Sequence, residues 1–344
     1  MQLYNKLSAE ERARIIDENS QERITLSFYK YFNLGNPTLF RDHLFIVWSN
    51  IDVLGRIYVA HEGINAQLSV PKENIDKFKK SISEITPLNE IRLNIALEHY
   101  SKSFLKLTIK IREKIVADGL NENTFDVTKI GEHLDAQRFN KMLDDKNTIC
   151  IDMRNHYESE IGFFKGAIKP DVDTFRESLE VIDRELEKNG KEKNYLMYCT
   201  GGIRCEKASA YLKHKGIKNA FQLEGGIIEY TRQVNENNLK NNFLGKNFVF
   251  DERIGERISD DIVSNCHQCG NPCDSHINCI NESCHLLFIQ CEDCREKMNS
   301  CCSNECMEII KLSYDEQKSL RKGKHNSNKI FKKGRSPKLK FKIN

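Results

Sequence analysis

A short loop between a predicted strand and a predicted helix carries the residues best suited to chemistry. It reads Cys199-Thr200-Gly201-Gly202-Ile203-Arg204 and follows a strand predicted over 195–198. Consecutive N–H groups of such a loop, together with the positive end of the next helix, stabilise a negative charge. The glycines allow the backbone to turn tightly, and Arg204 offers a planar set of donors to an anion. We therefore expect Cys199 to be a reactive thiolate with a lowered pKa.

A plainer interpretation treats Cys199 as a small buried apolar residue and the glycines as a simple turn. The ordered combination of strand, cysteine, paired glycines, arginine and helix favours the chemical interpretation. Cys205 follows Arg204 directly. It is in position to resolve an oxidised Cys199, but inward packing at a helix start is the favoured interpretation.

Cysteines are concentrated near the end of the chain, where ten of the thirteen lie within 266–306. Cys266-x2-Cys269 and Cys291-x2-Cys294 have the spacing of a tetrahedral, structural zinc site. The alternative is a cluster of reduced thiols without metal. Further thiols are available for a second site, with His267, His276 and His285 as substitutes: Cys273, Cys279, Cys284, Cys301, Cys302 and Cys306.

The elements that position these residues follow two patterns. Residues 23–115 alternate as strand, helix, strand, strand, helix, strand, with the closing strand expected at 105–111, which predicts a ferredoxin-like βαββαβ domain. Residues 127–241 alternate strands with helices, which predicts a doubly wound parallel sheet with Cys199 at a strand end. We predict a helical lead over 1–22, a cysteine-rich segment over 242–306 and a basic, largely disordered tail over 307–344.

Composition and charge narrow the class of protein. The 344 residues are 39% hydrophobic and carry a net charge of +3, yet 317–344 holds eleven Lys and Arg and no acidic residue. A polyanion and a merely solvated tail explain this bias equally well. No apolar stretch approaches the roughly 20 residues of a membrane span, and no leader is recognisable, so we expect a cytoplasmic protein.

The central segment resembles a rhodanese domain, the sulfurtransferase fold with a persulfide-forming cysteine. The resemblance rests on the Cys199 loop and on Asp152-Met-Arg-Asn-His-Tyr-Glu158, Gly166-Ala-Ile168 and Leu223-Glu-Gly-Gly-Ile227. The loop has four residues between Cys199 and Arg204, as in sulfur-handling rhodaneses, whereas related phosphatases have five. This length favours sulfur or thiolate chemistry over phosphate-ester hydrolysis.

Residues from about 20 to 330 resemble the rhodanese-like tRNA uridine hydroxylases. The motifs are Ser27-Phe-Tyr-Lys-Tyr-Phe32, Ala60-His-Glu-Gly-Ile-Asn-Ala-Gln67, Cys199-Thr-Gly-Gly-Ile-Arg-Cys-Glu-Lys207, Gly245-Lys-Asn-Phe-Val-Phe-Asp-Glu-Arg253 and Cys266-His-Gln-Cys269. The resemblance implies an oxidoreductase that uses molecular oxygen to form 5-hydroxyuridine at the wobble position of the tRNA anticodon loop, with Cys199 and Arg204 as catalytic residues. DNA is not expected as a partner. The chain departs from the family at Gly162-Phe163-Phe164, where a His is expected before the second Phe, and this puts a proton-transfer role there in doubt.

Two rival functions remain. One is a sulfurtransferase that acts through a Cys199 persulfide, and the other is a non-catalytic, zinc-bearing tRNA-binding module. We find no flavin or nicotinamide motif, and the spacing His-x-carboxylate at 133–135 and 156–158 is too common to predict iron.

Two smaller expectations concern individual side chains. Asp152 and Arg154 are expected to form a structural ion pair rather than act on substrate. Tyr29, Tyr31 and Phe32 could stack on RNA bases, but burial in the core is favoured for each.

Overall fold

The computed structural model describes residues 3–120 and 125–322 together with Ser336 and Leu339. These residues fall into two units. The first comprises Met1–Arg154, Gly166–Asn241 and Phe250–Arg253. The second comprises Asn155–Lys165, Asn242–Val249 and Ile254–Asn344. Residues 155–165, which lie inside the segment predicted as the rhodanese domain, therefore belong to the second unit.

The strands in chain order are β1 (Arg23–Tyr31), β2 (Leu54–Ala60), β3 (Gly63–Pro71), β4 (Asn94–Ile95), β5 (Leu107–Ile111), β6 (Glu132–Leu134), β7 (Thr148–Asp152), β8 (Gly162–Phe164), β9 (Asn194–Tyr198), β10 (Ala220–Leu223), β11 (Phe243–Phe248), β12 (Gly255–Arg257), β13 (His276–Asn278) and β14 (Leu287–Ile289). The helices are α1 (Ala9–Glu18), α2 (Pro37–Ser49), α3 (Ile75–Ser83), α4 (Ala136–Leu143), α5 (His156–Ser159), α6 (Phe175–Asn189), α7 (Ile203–His214), α8 (Gly226–Asn237), α9 (Glu292–Lys297), α10 (Asn304–Ile310) and α11 (Tyr314–Arg321).

The first sheet has the strand order β4-β1-β3-β2-β5. Its first four strands pair antiparallel, which is the ferredoxin-like arrangement that the sequence predicts. The predicted closing strand is wrong, however. Asn94–Ile95 closes the fold beside β1, and β5 pairs parallel to β2 at the opposite edge. Alternation marks 107–111 as a strand but says nothing about its edge, and two residues are too few for any periodicity.

The two faces of this sheet differ. Phe28 of β1 packs edge-on against Trp48 of α2 with 6.2 Å between ring centres, and Trp48 lies 5.6 Å from Phe78 of α3. Because side chains alternate along a strand, Tyr29 and Tyr31 point to the opposite face. The helices therefore cover one face, and the other remains available to the rest of the first unit.

The second sheet of this unit has the order β6-β10-β9-β7 with all neighbours parallel, as predicted. Tyr195 and Met197 of β9 share a core with α6 and α7. Tyr198 instead contacts Phe139 of α4, with ring centres 6.4 Å apart. Helices thus pack on both faces of the sheet, and Cys199 follows the carboxyl end of β9.

The second unit contains the sheet β12-β11-β8 and the hairpin β13-β14. Phe164 of β8 meets Phe243 of β11 with ring centres 5.2 Å apart. Buried cysteines, Leu286 and Phe288 form a further cluster. Helix α11 lies within 307–344, the segment predicted to be a disordered tail. Most of its cations, such as Lys332, Lys333, Arg335, Lys338, Lys340 and Lys342, lie outside the described residues.

Across 3–120 and 125–322, we find no helix that is both long enough and apolar enough to cross a membrane.

Candidate active site and metal centres

The Cys199 loop joins β9 to α7 and wraps around the sulfur. The N–H of Gly202 donates to Cys199 Sγ at 3.1 Å. Gly202 has φ of 102°, a left-handed conformation that a side chain would strain. Its position is also crowded, since a Cβ there would lie 2.6 Å from Tyr29 Oη. The second glycine of the loop is therefore required for both its conformation and its lack of a side chain.

The loop stabilises the ionised form of Cys199. The residue is only 1% exposed, and this burial opposes ionisation. A hydrogen bond from the Cys205 thiol, the charge of Arg204 and the N–H groups of both residues outweigh burial and lower the pKa of Cys199 to about 6. Arg204 thus has the electrostatic position that the sequence predicts for it.

Cys205 is fully buried and packs in the same core as Cys199. Burial and the neighbouring Cys199 raise the pKa of Cys205 well above its usual value. Cys205 is therefore a neutral donor beside a thiolate, in keeping with inward packing.

Helix α8 supports the loop from the other side. The N–H of Ile227 donates to the Cys199 carbonyl at 3.0 Å, and that of Ile228 to the Thr200 carbonyl at 3.3 Å. A Cβ on Gly226 would lie 2.5 Å from the Thr200 carbonyl oxygen. The Leu223–Ile227 motif therefore contains a glycine because the backbone of α8 contacts that of the loop.

Two tyrosines of β1 lie against the loop and its helix. Tyr29 Oη donates to Glu206 Oε1 at 3.0 Å, and Tyr31 Oη donates to the Ile203 carbonyl at 3.3 Å. Burial and nearby negative charges, including that of Cys199, raise the pKa of both phenols well above their usual value. Neither tyrosine joins the apolar core of the first sheet, whereas Phe32 does pack against that core.

Glu206, in the first turn of α7, is the centre of a polar network that the sequence does not reveal. Its carboxylate also meets His133 Nε2 at 3.0 Å and accepts from Gln222 Nε2 at 3.1 Å. The hydrogen bond with Glu206 raises the pKa of His133. His133 and Asp135 therefore do not act as a pair, since Asp135 instead caps α4 through the N–H of Arg138.

Lys207 ties the first domain to the helix of the cysteine loop. Its ammonium is fully buried and donates to Asp118 Oδ2 at 2.9 Å, Glu62 Oε1 at 3.0 Å and the Val116 carbonyl at 2.8 Å. Glu62 belongs to the Ala60–Gln67 motif. The buried cation thus explains why acidic Glu62 occurs in the turn between two strands.

Asp152 and Arg154 form the expected ion pair. Both side chains are fully buried, and Arg154 Nη2 lies 2.7 Å from Asp152 Oδ2. Tyr198 Oη donates to the same oxygen at 2.7 Å. The pair is thus part of the floor beneath the loop.

A cavity of about 390 Å³ opens beside the loop. Its lining includes Gly201, Glu206, His133, Tyr29 and Tyr31. Cys199, which is 1% exposed, is not among the lining residues. Thr200 Oγ1 is buried and has no hydrogen-bond partner within the described part of the chain.

Eight cysteines of the second unit form two groups of four thiols. In each group the sulfur atoms all lie within 4.8 Å of one another. The groups are Cys266, Cys269, Cys291 and Cys294, and Cys279, Cys284, Cys302 and Cys306. The first group is the one that the cysteine spacing predicts. The second group consists of four of the six further cysteines considered for a second site.

Cys273 and Cys301 belong to neither group. Cys273 Sγ accepts from the N–H of Ser275 at 3.5 Å, and Cys301 is fully buried. His267 pairs instead with Glu160, whose Oε1 lies 2.6 Å from Nε2. Burial lowers the pKa of His276 to about 4.

Three family models match successive parts of the chain. Residues 23–115 match the UPF0176 acylphosphatase like domain, 135–233 the Rhodanese-like domain and 244–307 the model described as Rhodanase C-terminal. The fold and the cysteine loop thus define a rhodanese-domain protein with an acylphosphatase-like domain before the rhodanese domain and a cysteine-rich region after it.

Whole-chain relatives narrow the class. The chain is 53% identical to proteins named tRNA uridine(34) hydroxylase from Photorhabdus laumondii and Pectobacterium carotovorum, over 97% of its own length and 95% and 94% of theirs. It belongs to this family. Among solved structures, a rhodanese-like domain protein from Staphylococcus aureus is 26% identical, covers 29% of this chain and 91% of its own, and has a TM-score of 0.24.

Proposed function

We propose that this protein hydroxylates uridine 34 of tRNA to 5-hydroxyuridine, with molecular oxygen as co-substrate. The observation that carries the proposal is a buried Cys199 thiolate in a chain similar over nearly its whole length to tRNA uridine(34) hydroxylases. One oxygen atom enters C5 of the uracil. Two electrons and two protons reduce the other atom to water, so the reaction also consumes a reductant.

Cys199 is the nucleophile in this proposal. Its thiolate adds to C6 of the uracil, and the electron pair of the 5,6 double bond moves to C5 and O4, where C5 becomes electron-rich enough to react with oxygen. Loss of the C5 proton and departure of the sulfur then restore the double bond. A cysteine with a pKa of about 6 is mostly ionised at neutral pH, which this addition requires.

Access to the sulfur requires a local movement. Cys199 is 1% exposed, and Tyr29 lies over Gly202. We infer that displacement of the Tyr29 side chain opens the loop when the target base enters. Base chemistry of this kind needs a nucleotide turned out of its stack, and an anticodon loop presents such bases at low cost.

We further propose that each group of four thiols holds a structural zinc ion. A tetrahedron with Zn–S bonds of about 2.3 Å has S···S edges of about 3.8 Å. Cys269 and Cys291 have sulfur atoms 3.6 Å apart, and the separation from Cys302 to Cys306 is 3.7 Å.

The proposed activity places the protein with tRNA, in the cytoplasm. The anticodon loop supplies the target base, and the basic residues after 317 provide a sequence-independent attraction for its phosphates.

Nucleoside analysis of bulk tRNA tests the proposal. Cells lacking the gene should lose 5-hydroxyuridine, the wild-type chain should restore it, and Cys199→Ala should not. Cys150→Ala is a matched control, because Cys150 is a buried cysteine of neighbouring strand β7. Restoration by Cys199→Ala would refute the enzymatic role of the loop.

Two further measurements examine the chemistry. With anticodon stem-loops that carry 5-fluorouridine, the fluorine cannot leave as a proton does, and a covalent adduct at Cys199 should accumulate. Mass spectrometry of the protein after thiosulfate treatment distinguishes hydroxylation from the alternative, sulfur transfer. A stable extra sulfur on Cys199 that passes to an acceptor thiol, without any oxygen added to the tRNA, would contradict the proposed reaction.

A further inference from the structure

The cavity beside the cysteine loop has the size and lining of a binding site. Its volume of about 390 Å³ falls within the range of about 300–1,000 Å³ that is typical of small-ligand sites. Tyr29 and Tyr31 supply aromatic surface, and their ring centres are 6.3 Å apart. Gly201 brings the backbone of the reactive loop to the cavity wall.

The charges around the cavity indicate what kind of ligand it accepts. The lining contains the carboxylates of Glu90, Glu206 and Glu224 but only the cations Lys30 and Arg92, besides His133. Arg92 is already paired with Glu224. His133 is likewise paired with Glu206, so the cations of the lining are largely balanced by carboxylates, and this disfavours a small anion such as thiosulfate or phosphate. A neutral, planar, polar molecule fits this environment better.

Asn94 is a buried residue of the lining whose side-chain oxygen has no hydrogen-bond partner among the described residues. Its side chain is buried, with 3% of its surface exposed, and Oδ1 accepts no hydrogen bond from any described residue. Nδ2 donates to the Gly201 carbonyl at 3.4 Å, which fixes the amide so that Nδ2 faces the loop. A buried acceptor without a donor is costly, so its presence beside a cavity points to a ligand N–H.

We propose that this cavity is the uracil pocket and that Asn94 Oδ1 accepts the N3–H of the target base. The inference rests on the proposed function and adds the base-recognition residue to it. Uracil carries a donor at N3, whereas cytosine carries an acceptor there. With Nδ2 held by Gly201, Oδ1 would face the cytosine N3 lone pair, so Asn94 selects uracil over cytosine at position 34.

The position of Asn94 in the fold supports this role. Asn94 is in β4, opposite Ser27 of β1, and a Cβ on Gly201 would lie 3.5 Å from Asn94 Nδ2 and 4.0 Å from Ser27 Oγ. The recognition group is therefore held by a strand against the loop that carries Cys199. Elements of this kind fix a side chain more accurately than loops do.

The test compares binding of three synthetic anticodon stem-loops, with uridine, 3-methyluridine or cytidine at position 34, to the full-length protein. For the wild type, we expect the Kd for uridine to be about 10- to 100-fold lower than for the other two, the usual discrimination of a good base contact. In Asn94→Ala the three Kd values should agree within about threefold. The exposed Asn89, outside the cavity, provides the matched control Asn89→Ala, which should keep the wild-type ratios.

Asn94→Leu is a second variant, which keeps the size of the side chain but has no acceptor, and it should lose the preference for uridine over cytidine as Asn94→Ala does. Equal binding of the three stem-loops by the wild type would overturn the inference, as would unchanged ratios in Asn94→Ala or a retained preference for uridine in Asn94→Leu. Failure of the proposed function is a separate result: wild-type protein that forms no 5-hydroxyuridine in cells. If the wild type hydroxylates tRNA but the Asn94→Ala variant still distinguishes uridine from cytidine, only the role of Asn94 is refuted.

Discussion

The ionisation of Cys199 can be measured through the pH dependence of its alkylation. Only the thiolate reacts, so the rate should rise with pH and level off above the pKa, which is about 6. Relative to a free cysteine with a pKa of about 8.5, this corresponds to about 3 kcal/mol in favour of the thiolate. At pH 7 about 90% of Cys199 should be ionised, against about 3% of a free cysteine.

The assay is a time course of iodoacetamide labelling at a series of pH values, with the Cys199 peptide quantified by mass spectrometry. Burial of the sulfur at 1% exposure slows labelling at every pH and therefore lowers the plateau. It does not move the midpoint, provided that the loop opens equally at each pH. The midpoint thus reports the pKa even though the residue is poorly accessible.

Variants at Arg204 separate the contributions to this pKa. Arg204→Gln removes the charge, so the midpoint should move upwards, while Arg204→Lys retains a cation and should shift it less. The midpoint of Arg204→Gln should remain below that of a free cysteine, because the Gly202 N–H still donates to the sulfur. A wild-type midpoint near 8.5 would refute the reasoning, since the loop would then exert no net stabilisation.

Three further predictions concern stability and metal content. Lys207→Met should lower the free energy of unfolding by about 1–3 kcal/mol in chemical denaturation, because Glu62 and the Val116 carbonyl lose a donor and the buried Asp118 keeps only Lys114 as a cationic partner. His133→Gln should destabilise the protein most at acidic pH, because the pKa of His133 is raised in the folded state. The contribution of His133 is complete below its unfolded pKa of about 6.5 and disappears as pH rises through the native value. Elemental analysis should find two zinc ions per chain and one in Cys291→Ser.

Each of these predictions has a matched control. Lys215 is an exposed lysine with a partner carboxylate, so Lys215→Met should cost at most about 1 kcal/mol, and an equal loss in both variants would contradict the role of burial. His99 is a control of opposite sign, because burial lowers its pKa, so the effect of His99→Gln should grow towards alkaline pH. A His133→Gln effect that grows in that direction would contradict the prediction. Two zinc ions in Cys291→Ser would exclude that cysteine as a required ligand.

Local pattern predicted much of the fold. The apolar run at 195–198 matches β9 to within one residue, and the alternation at 105–111 matches β5 to within about two. The parallel sheet followed from the alternation of such elements. The ion pair of Asp152 and Arg154 was also predictable, since the two residues are close in sequence and follow a buried strand.

Long-range placement was not predictable from the same signals. Tyr29 and Asn94 reach the Cys199 loop only because two domains meet there. Tyr29, for example, is 177 residues away in sequence from its hydrogen-bond partner Glu206. The group of Cys279, Cys284, Cys302 and Cys306 was not predictable for a related reason. These four cysteines do not form two pairs with the same spacing along the chain. In both cases the tertiary fold, rather than a local period, decides the neighbours.

Side chains alternate along β1 between the apolar core and the reactive loop, so one strand register serves both folding and the active site. Even-numbered Leu26 and Phe28 fill the core, while odd-numbered Ser27, Tyr29 and Tyr31 face the reactive loop. Inserting or deleting one residue would exchange the two sets, placing phenols in an apolar interior and bare apolar rings over the thiolate. Length changes should therefore be tolerated in the turns that flank this strand and rejected within it, for reasons of stability and of catalysis at once.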